Sequence, residues 1–381
     1  MNFLTEEQEL WRDTVYRFME KEITREYVRE CDMSRKYPVE GYRKLANAGW
    51  FSIIVPEELG GAGGSAMDYT VMVEGISRYG SDFAVTVMVP IFTANNIVKH
   101  GTKAQKDKYL RPLMEGDARF VISISEPEAG SDAANIKTSA RRDGDGWRVK
   151  GVKLWNSGAG GGETTLCVIA RTDPDSKRRD GLAMMLVPTS AEGVTVTPIK
   201  TMSRRATGCN TVYLDDVWLP DDALLGEAGD GWPMLVEHLE LERIAAAACY
   251  LGCAQQAVDD ALAHSLEREQ FGQPIFDFQV IKHRLADMQT SVDAARLLVY
   301  RAAAMVDAGQ PCAKEASMAK LFSSETLQTV SRNGMQILGG QSMLPEADME
   351  RYFREGMQST IGGGTSEIQR TIIAQQMRKA G

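Results

Sequence analysis

The spacing of apolar and polar positions changes its period twice along the chain. Up to about residue 120 it is helical. Thr5 followed by Gln8 marks a capping-box start with Phe3 and Leu4 ahead of it, and no Gly or Pro interrupts the run to Cys31. Thr102 and Gln105 repeat the signal before Tyr109, Leu110 and Leu113. From about 120 to 230 the apolar runs become short, β-rich and separated by turn residues: Phe120–Ile124, Trp147–Val149, Thr165–Ala170, Leu182–Val187, Val194–Thr197 and Thr211–Leu214. Asp143-Gly144-Asp145-Gly146 is a hairpin signal. Several such strands without long helices between them predict a small antiparallel barrel or sandwich. From Pro233 the helical period returns. A run to about Gln270 contains only Gly252 as a breaker and would be roughly 50 Å long. Further runs over Phe278–Ala308 and Ala313–Leu338, joined by short turns, predict an antiparallel bundle. The predicted fold class is α+β and multidomain, with a helical domain over 1–120, a β domain over 121–230 and a helical bundle over 231–381.

Length agrees with that division, since 381 residues exceed what one compact core holds. Apolar residues make up 43% and charged residues 25%, ordinary for a globular protein. The 43 basic against 52 acidic residues leave a net charge of −9, which argues against a nucleic-acid surface. Six cysteines show no C-x-x-C pair and four histidines show no metal-ligand spacing, so a reduced compartment and no metal site are expected. Cys249 and Cys253, four apart in a helical run, read as packing residues. No run of 18 apolar residues suggests a membrane span, and the acidic N-terminus is unlike a signal peptide; a cytoplasmic location is expected.

Candidate chemistry sits where polar groups interrupt these patterns. Ile361-Gly362-Gly363-Gly364-Thr365-Ser366-Glu367-Ile368-Gln369-Arg370 reads as a loop that approaches something closely and then starts a helix, although taken alone such a run is more often a plain turn. The Gly60–Ser65 run lacks phosphate-loop spacing and reads as a surface loop. In the helix beginning at Pro233, Leu235, Leu239, Glu242 and Ala246 share one face, which places Glu242 in an apolar stripe beside Arg243. A desolvated carboxylate of that kind suits a proton acceptor, but spacing alone favours a structural ion pair or an exposed charge at the edge of the stripe. Ser123–Asp132 ends a strand in hydroxyls and a Gly-Ser turn, and Lys153–Gly158 sets a tryptophan among short polar residues.

Taken in order, SISEPEAGSD (123–132), KLWNSG (153–158), Met202–Gly226, the Glu-Arg helix start, REQFG (268–272) with Gln279, QILGG (336–340) and GGTSEIQR (363–370) make the chain similar, over essentially its whole length, to the acyl-CoA dehydrogenase family. The resemblance implies an N-terminal helical domain, a middle β domain and a C-terminal four-helix domain. It also implies bound FAD, an acyl-CoA substrate, an electron-transfer flavoprotein or similar redox partner, and a homotetramer built as a dimer of dimers. Position by position it implies that Ser125 and Ser157 face the flavin with Trp155 beside it, Ser125 standing where the family usually has Thr. Arg268, Phe271 and Gln279 resemble the FAD-binding set of the bundle. Gln336 and Gly340 would meet the FAD of a neighbouring subunit, and Thr365 and Glu367 the phosphate and ribose end. Ser131 resembles a residue of the acyl-CoA channel.

The implied chemistry is α,β-dehydrogenation of an acyl thioester, in which a carboxylate removes the α-proton as hydride leaves the β-carbon for flavin N5. Many members carry that carboxylate directly before the Gly-Thr of the last motif. Here the position is Gly363, a substrate-site position with no side chain. A minority, similar to long-chain and isovaleryl-CoA dehydrogenases, place the base directly before the Arg of the long helix. That position is Glu242, with Arg243 tuning it. Two related readings share the same residues: a reductase of an enoyl-CoA such as crotonobetainyl-CoA, and a specialised oxidase or eliminase. A DNA-associated flavoprotein would need a basic surface.

Overall fold

A computed structural model describes residues 4–176 and 178–380; Phe3 lies outside them. Six helices open the chain: α1 (Glu6–Phe18), α2 (Arg25–Ser34), α3 (Val39–Asn47), α4 (Ala66–Ser77), α5 (Ser81–His100) and α6 (Lys103–Met114). Eight strands follow: β1 (Arg119–Ser123), β2 (Ser139–Asp143), β3 (Gly146–Lys153), β4 (Thr164–Arg171), β5 (Leu182–Pro188), β6 (Val194–Ile199), β7 (Cys209–Pro220) and β8 (Leu224–Gly229). Five helices close it: α7 (Gly231–Glu267), α8 (Gln279–Asp307), α9 (Ala313–Leu338), α10 (Met349–Ser359) and α11 (Ser366–Ala380).

The helix starts form for local reasons. Thr5 with Gln8, Ser65 with Asp68 and Thr102 with Gln105 each make a complete capping box, satisfying backbone N–H groups that have no intrahelical acceptor. The sequence marks the first and third of these. α5 is long and apolar enough to cross a membrane, where sequence reading expects no such run, and most of it is buried inside the fold. The six cysteines are buried and none is in a disulfide among the described residues, Cys249 and Cys253 being packed residues of α7.

Contacts divide the chain into two compact units, and each draws on the N-terminal helices. The first takes residues up to Met33, Ser65–Ala84 and everything from Glu240 on. In it α9 packs against α8, α10 and α11, while α4 packs against α1 and α8. Gly252 of α7 lies so close to α4 that a Cβ there would stand 2.0 Å from the Glu74 carbonyl oxygen, which explains the glycine in the interior of that long helix.

The second unit holds Ser34–Gly64 and Val85–Leu239, with one sheet ordered β6-β7-β3-β2-β4-β5-β8 and β1 added beside β4. Pairings are mostly antiparallel, as the hairpin signals predict. The exceptions are β1 on β4 (Arg119 opposite Thr164 through Ser123 opposite Val168) and the single Ser139–Arg171 pair of β2 on β4. That correction to a purely antiparallel domain has a physical basis in β4. Its residues Thr164–Ala170 are all buried, the unalternating pattern of a strand covered on both faces. A register shift between Val149 and Gly151 bends β3 just before Lys153.

Candidate active site

In the first unit the glycine run at 362–364 connects α10 to α11. Gly363 and Gly364 have φ of +65° and +89°, left-handed values that glycine adopts without strain. The connection is tied from inside. Gln369 of α11 donates its amide N–H to the carbonyls of Gly363 and Gly364, both at 3.0 Å, and Ser366 N–H bonds the Thr360 carbonyl at 3.0 Å. Thr365 caps α11 by accepting from Ile368 N–H at 3.3 Å. At this helix start the Glu367 carboxyl is held below its ordinary range by its own backbone N–H and by the Thr365 hydroxyl.

Gly363 faces Glu242. A Cβ at residue 363 would stand 3.6 Å from Glu242 Oε1 and 3.9 Å from Lys320 Cε. The fold therefore brings together the position without a side chain and the carboxylate 121 positions upstream in the same unit. Glu242 is half-buried rather than sealed, so the desolvation expected from its stripe is met only halfway. Burial falls instead on Arg243, which is 7% exposed. Desolvation weakens the proton affinity of that guanidinium, opposed by the charges of Glu242 and Glu240. Arg243 Nε and the Ser366 hydroxyl are buried without a hydrogen-bond partner among the described residues. Tyr69 of α4 is fully buried, and burial followed by the Cys249 and Glu242 charges pushes its phenol well up.

The ends of α7 and α9 carry the other predicted positions of this unit. Arg268 follows α7 directly, and Phe271-Gly272 turns a small hairpin (Glu269–Gln270 against Gln273–Pro274) with φ of +52° and +78°. The Phe271 ring is 95% exposed, and Gln279 begins α8. Gln336 is exposed near the end of α9, and a Cβ at Gly340 would meet nothing within 4 Å. Leu338 and Gln341 line a cavity of about 300 Å³ together with His264 of α7.

In the second unit the SISEP and KLWNSG segments lie side by side. Leu154 N–H bonds the Ser125 carbonyl at 2.8 Å, which places Ser125 beside the segment that runs on through Trp155 to Ser157. A buried ion pair sets this junction. Glu126 accepts from Lys153 Nζ at 2.8 Å and from the backbone N–H groups of Lys137 (2.6 Å) and Thr138 (2.9 Å), while Lys153 also donates to the Ile124 carbonyl at 3.0 Å. Burial brings the Lys153 amine down to about 8, resisted by Glu126. Burial would raise the Glu126 carboxyl, but the Lys153 charge and the N–H donors bring it below its ordinary range. Beyond this anchor Trp155 adopts φ +63°, a left-handed value that costs a bulky residue about 1–2 kcal/mol, and leaves its indole 57% exposed. Ser131 is exposed on a cavity of about 470 Å³ that Arg178, Arg179 and Trp232 also line.

Glu126→Gln is expected to destabilise the protein by about 3–5 kcal/mol, because it leaves the Lys153 ammonium buried without its counter-charge. Since the folded state depresses the Glu126 carboxyl, its contribution is present above the ordinary carboxylate range and is lost as pH falls through it. Thermal melts from pH 7 to pH 3 should therefore show a shallower acid loss in Glu126→Gln than in the unsubstituted protein.

Lys320, Gln369, Tyr69 and the Glu126–Lys153 pair are missed by sequence reading. For Lys320 a signal exists: it shares a helical face with Ala316, Ser323 and Leu327, all buried, the same interruption that marks Glu242.

Comparison with known proteins assigns the chain in three consecutive stretches. Residues 5–117 match the N-terminal, 121–217 the middle and 229–378 the C-terminal domain of acyl-CoA dehydrogenase. The probable acyl-CoA dehydrogenase YngJ of Bacillus subtilis is 37% identical, with 100% of each chain covered. The caffeyl-CoA reductase-Etf complex subunit CarC of Acetobacterium woodii is 34% identical over 99% of this chain and 100% of its own. The structure of butyryl-CoA dehydrogenase from Megasphaera elsdenii superposes with a TM-score of 0.94 at 31% identity, covering 99% of this chain and 100% of the other.

Proposed function

Since the chain belongs to the acyl-CoA dehydrogenase family, FAD-dependent oxidoreductases, we propose that it oxidises an acyl-CoA thioester to the 2-enoyl-CoA with Glu242 taking the α-proton. The observation that carries this reading is the 3.6 Å between Glu242 Oε1 and the place where a side chain at residue 363 would begin. A carboxylate entering from α7 reaches the space that a carboxylate at 363 would otherwise fill. Its half-buried state leaves one side open to a substrate while Arg243 beside it supplies positive charge.

The residues present suit the cofactor. Trp155 and Phe271 hold large rings out in left-handed turns, Gly340 leaves open space, and the start of α11 presents N–H groups beside the unpartnered Ser366 hydroxyl. FAD, when bound, supplies the acceptor for the β-hydride. Within their own unit Ser125, Trp155 and Ser157 would hold the ring, anchored by Glu126 and Lys153. Arg268, Phe271, Gln279, Gln336, Gly340, Thr365 and Glu367 would hold the remainder, some of them toward a neighbouring subunit of a homotetramer. Ser131, with the two guanidiniums and the indole on its cavity, suits the phosphates and adenine of CoA. Glu242 then needs only to sit against the substrate α-carbon and accept one proton.

The reverse direction, reduction of an enoyl-CoA, has the CarC similarity in its favour, and that name also supports an electron-transfer flavoprotein as partner. Anaerobic mixing separates the two. Saturated acyl-CoA thioesters of graded length and branching should bleach the oxidised flavin, and the matching enoyl-CoA should recolour the reduced flavin more slowly. Bleaching by none of the saturated thioesters, with rapid recolouring by an enoyl-CoA, would replace oxidation by reduction.

A further inference from the structure

Lys320 is fully buried, and its ammonium closes the α10–α11 connection. Nζ donates to the Ser359 carbonyl at 3.0 Å and to the Gly364 carbonyl at 2.8 Å. Ser359 ends α10, where carbonyls lack intrahelical partners, and Gly364 immediately precedes the cap of α11. One side chain from α9 thus ties both ends of the 360–363 loop. The same side chain brings Cε to within 3.9 Å of the point at Gly363 that lies 3.6 Å from Glu242 Oε1.

A neutral amide would satisfy two carbonyls at a lower desolvation cost than an ammonium. What the ammonium adds is a positive charge in a low-dielectric place beside Glu242. We propose that Lys320 is a positioning residue for the reaction: it pins the 360–363 loop against Glu242 and sets a buried positive charge beside the carboxylate that accepts the proton. The inference rests on Glu242 being the base. Burial brings the Lys320 amine down to about 8, with Glu242 the foremost charge resisting that fall, so the amine is still mostly protonated at neutral pH. The other groups in this field are Arg243 and Glu240 on α7, Tyr69 on α4, Glu325 on α9, Glu367 on α11 and Cys312 ahead of α9. Arg243 opposes protonation of Lys320, and Glu325 and Glu367 favour it.

Three variants of the FAD-loaded enzyme separate charge from tethering. Lys320→Gln keeps amide N–H donors for the carbonyls and removes the charge, Lys320→Met removes both, and Lys320→Arg keeps the charge. The acid limb of kcat/KM is expected to move to higher pH by about one unit in Lys320→Gln and Lys320→Met, and to stay in place in Lys320→Arg. A purely structural lysine would change melting temperature and lower kcat equally at every pH, leaving the limb where it was; that result in Lys320→Gln overturns the proposal. Glu242→Gln distinguishes the two levels. Retained turnover there sinks the base itself, whereas lost turnover there with an unmoved limb in Lys320→Gln sinks only the role of Lys320.

Discussion

Glu242→Gln is expected to fold, to bind FAD at full stoichiometry, and to lose acyl-CoA oxidation by a factor on the order of 10³. The substitution keeps the shape of the side chain, replaces one acceptor oxygen by an amide donor, and removes the negative charge and with it the ability to accept a proton. The site around it imposes no large structural cost for the change. Glu242 is half-buried rather than sealed, and the loop opposite is also held by the Gln369 amide, which bonds the Gly363 and Gly364 carbonyls. A melting temperature near that of the unsubstituted protein, together with a full flavin spectrum, would assign the lost rate to chemistry. A rate loss below tenfold with both intact would remove Glu242 from the reaction.

The second large effect is a swap. Gly363→Glu alone should abolish most activity, because it sets a second carboxylate against Glu242 and two such charges cannot both ionise at close range. It also forces a non-glycine residue to φ +65°, at a cost of about 1–2 kcal/mol. Pairing it with Glu242→Gly removes the repulsion and delivers a carboxylate from the opposite wall of the same space. That double variant should regain activity well above either single substitution, yet below the unsubstituted enzyme, because glycine inside α7 costs about 1 kcal/mol more. Steady-state turnover of the three variants under one set of conditions makes the comparison. Complete inactivity of the double variant with FAD bound would mean that the two positions are not interchangeable approaches to one substrate atom.

Much of the architecture was legible because period and capping are local properties. Ala313–Leu338 runs as a helix between the residues that the apolar pattern bounds, and six of the eight strands coincide with β-rich runs. β2 was harder to see because Ser139–Asp143 is short and mostly charged, with only Ala140 buried; pairing with β3 makes it a strand. β8 contains two glycines and a glutamate, and it takes its place by pairing Leu224 and Leu225 with β5. The parallel join of β1 to β4 could not be read at all, since strand direction across 40 residues of intervening chain leaves no periodic trace.

At the site the same distinction holds. Glu242 stood out because a carboxylate interrupts an apolar stripe, and Gly363 stood out against the motif around it. Their approach to within 3.6 Å depends on how α7 and the α10–α11 connection fold together in the first unit, which no spacing encodes. Lys153 and Glu126 stand 27 positions apart with nothing in the sequence to pair them, and their burial and ion pair make them the anchor of the Trp155 turn. The left-handed backbone of Trp155 has no composition signal either, because tryptophan is an unfavourable residue for that conformation.

The claim that Glu242 takes the α-proton is tested most directly by exchange rather than turnover. A 3-thia-acyl-CoA has an α-proton to lose and no β-hydrogen to transfer, so in deuterated buffer it reports proton abstraction alone. Mass spectrometry of the recovered thioester should show deuterium entering at the α-carbon with the unsubstituted enzyme and no entry above the buffer rate with Glu242→Gln. Exchange by Glu242→Gln at the unsubstituted rate would contradict the assignment and return the search for the base to the rest of the site.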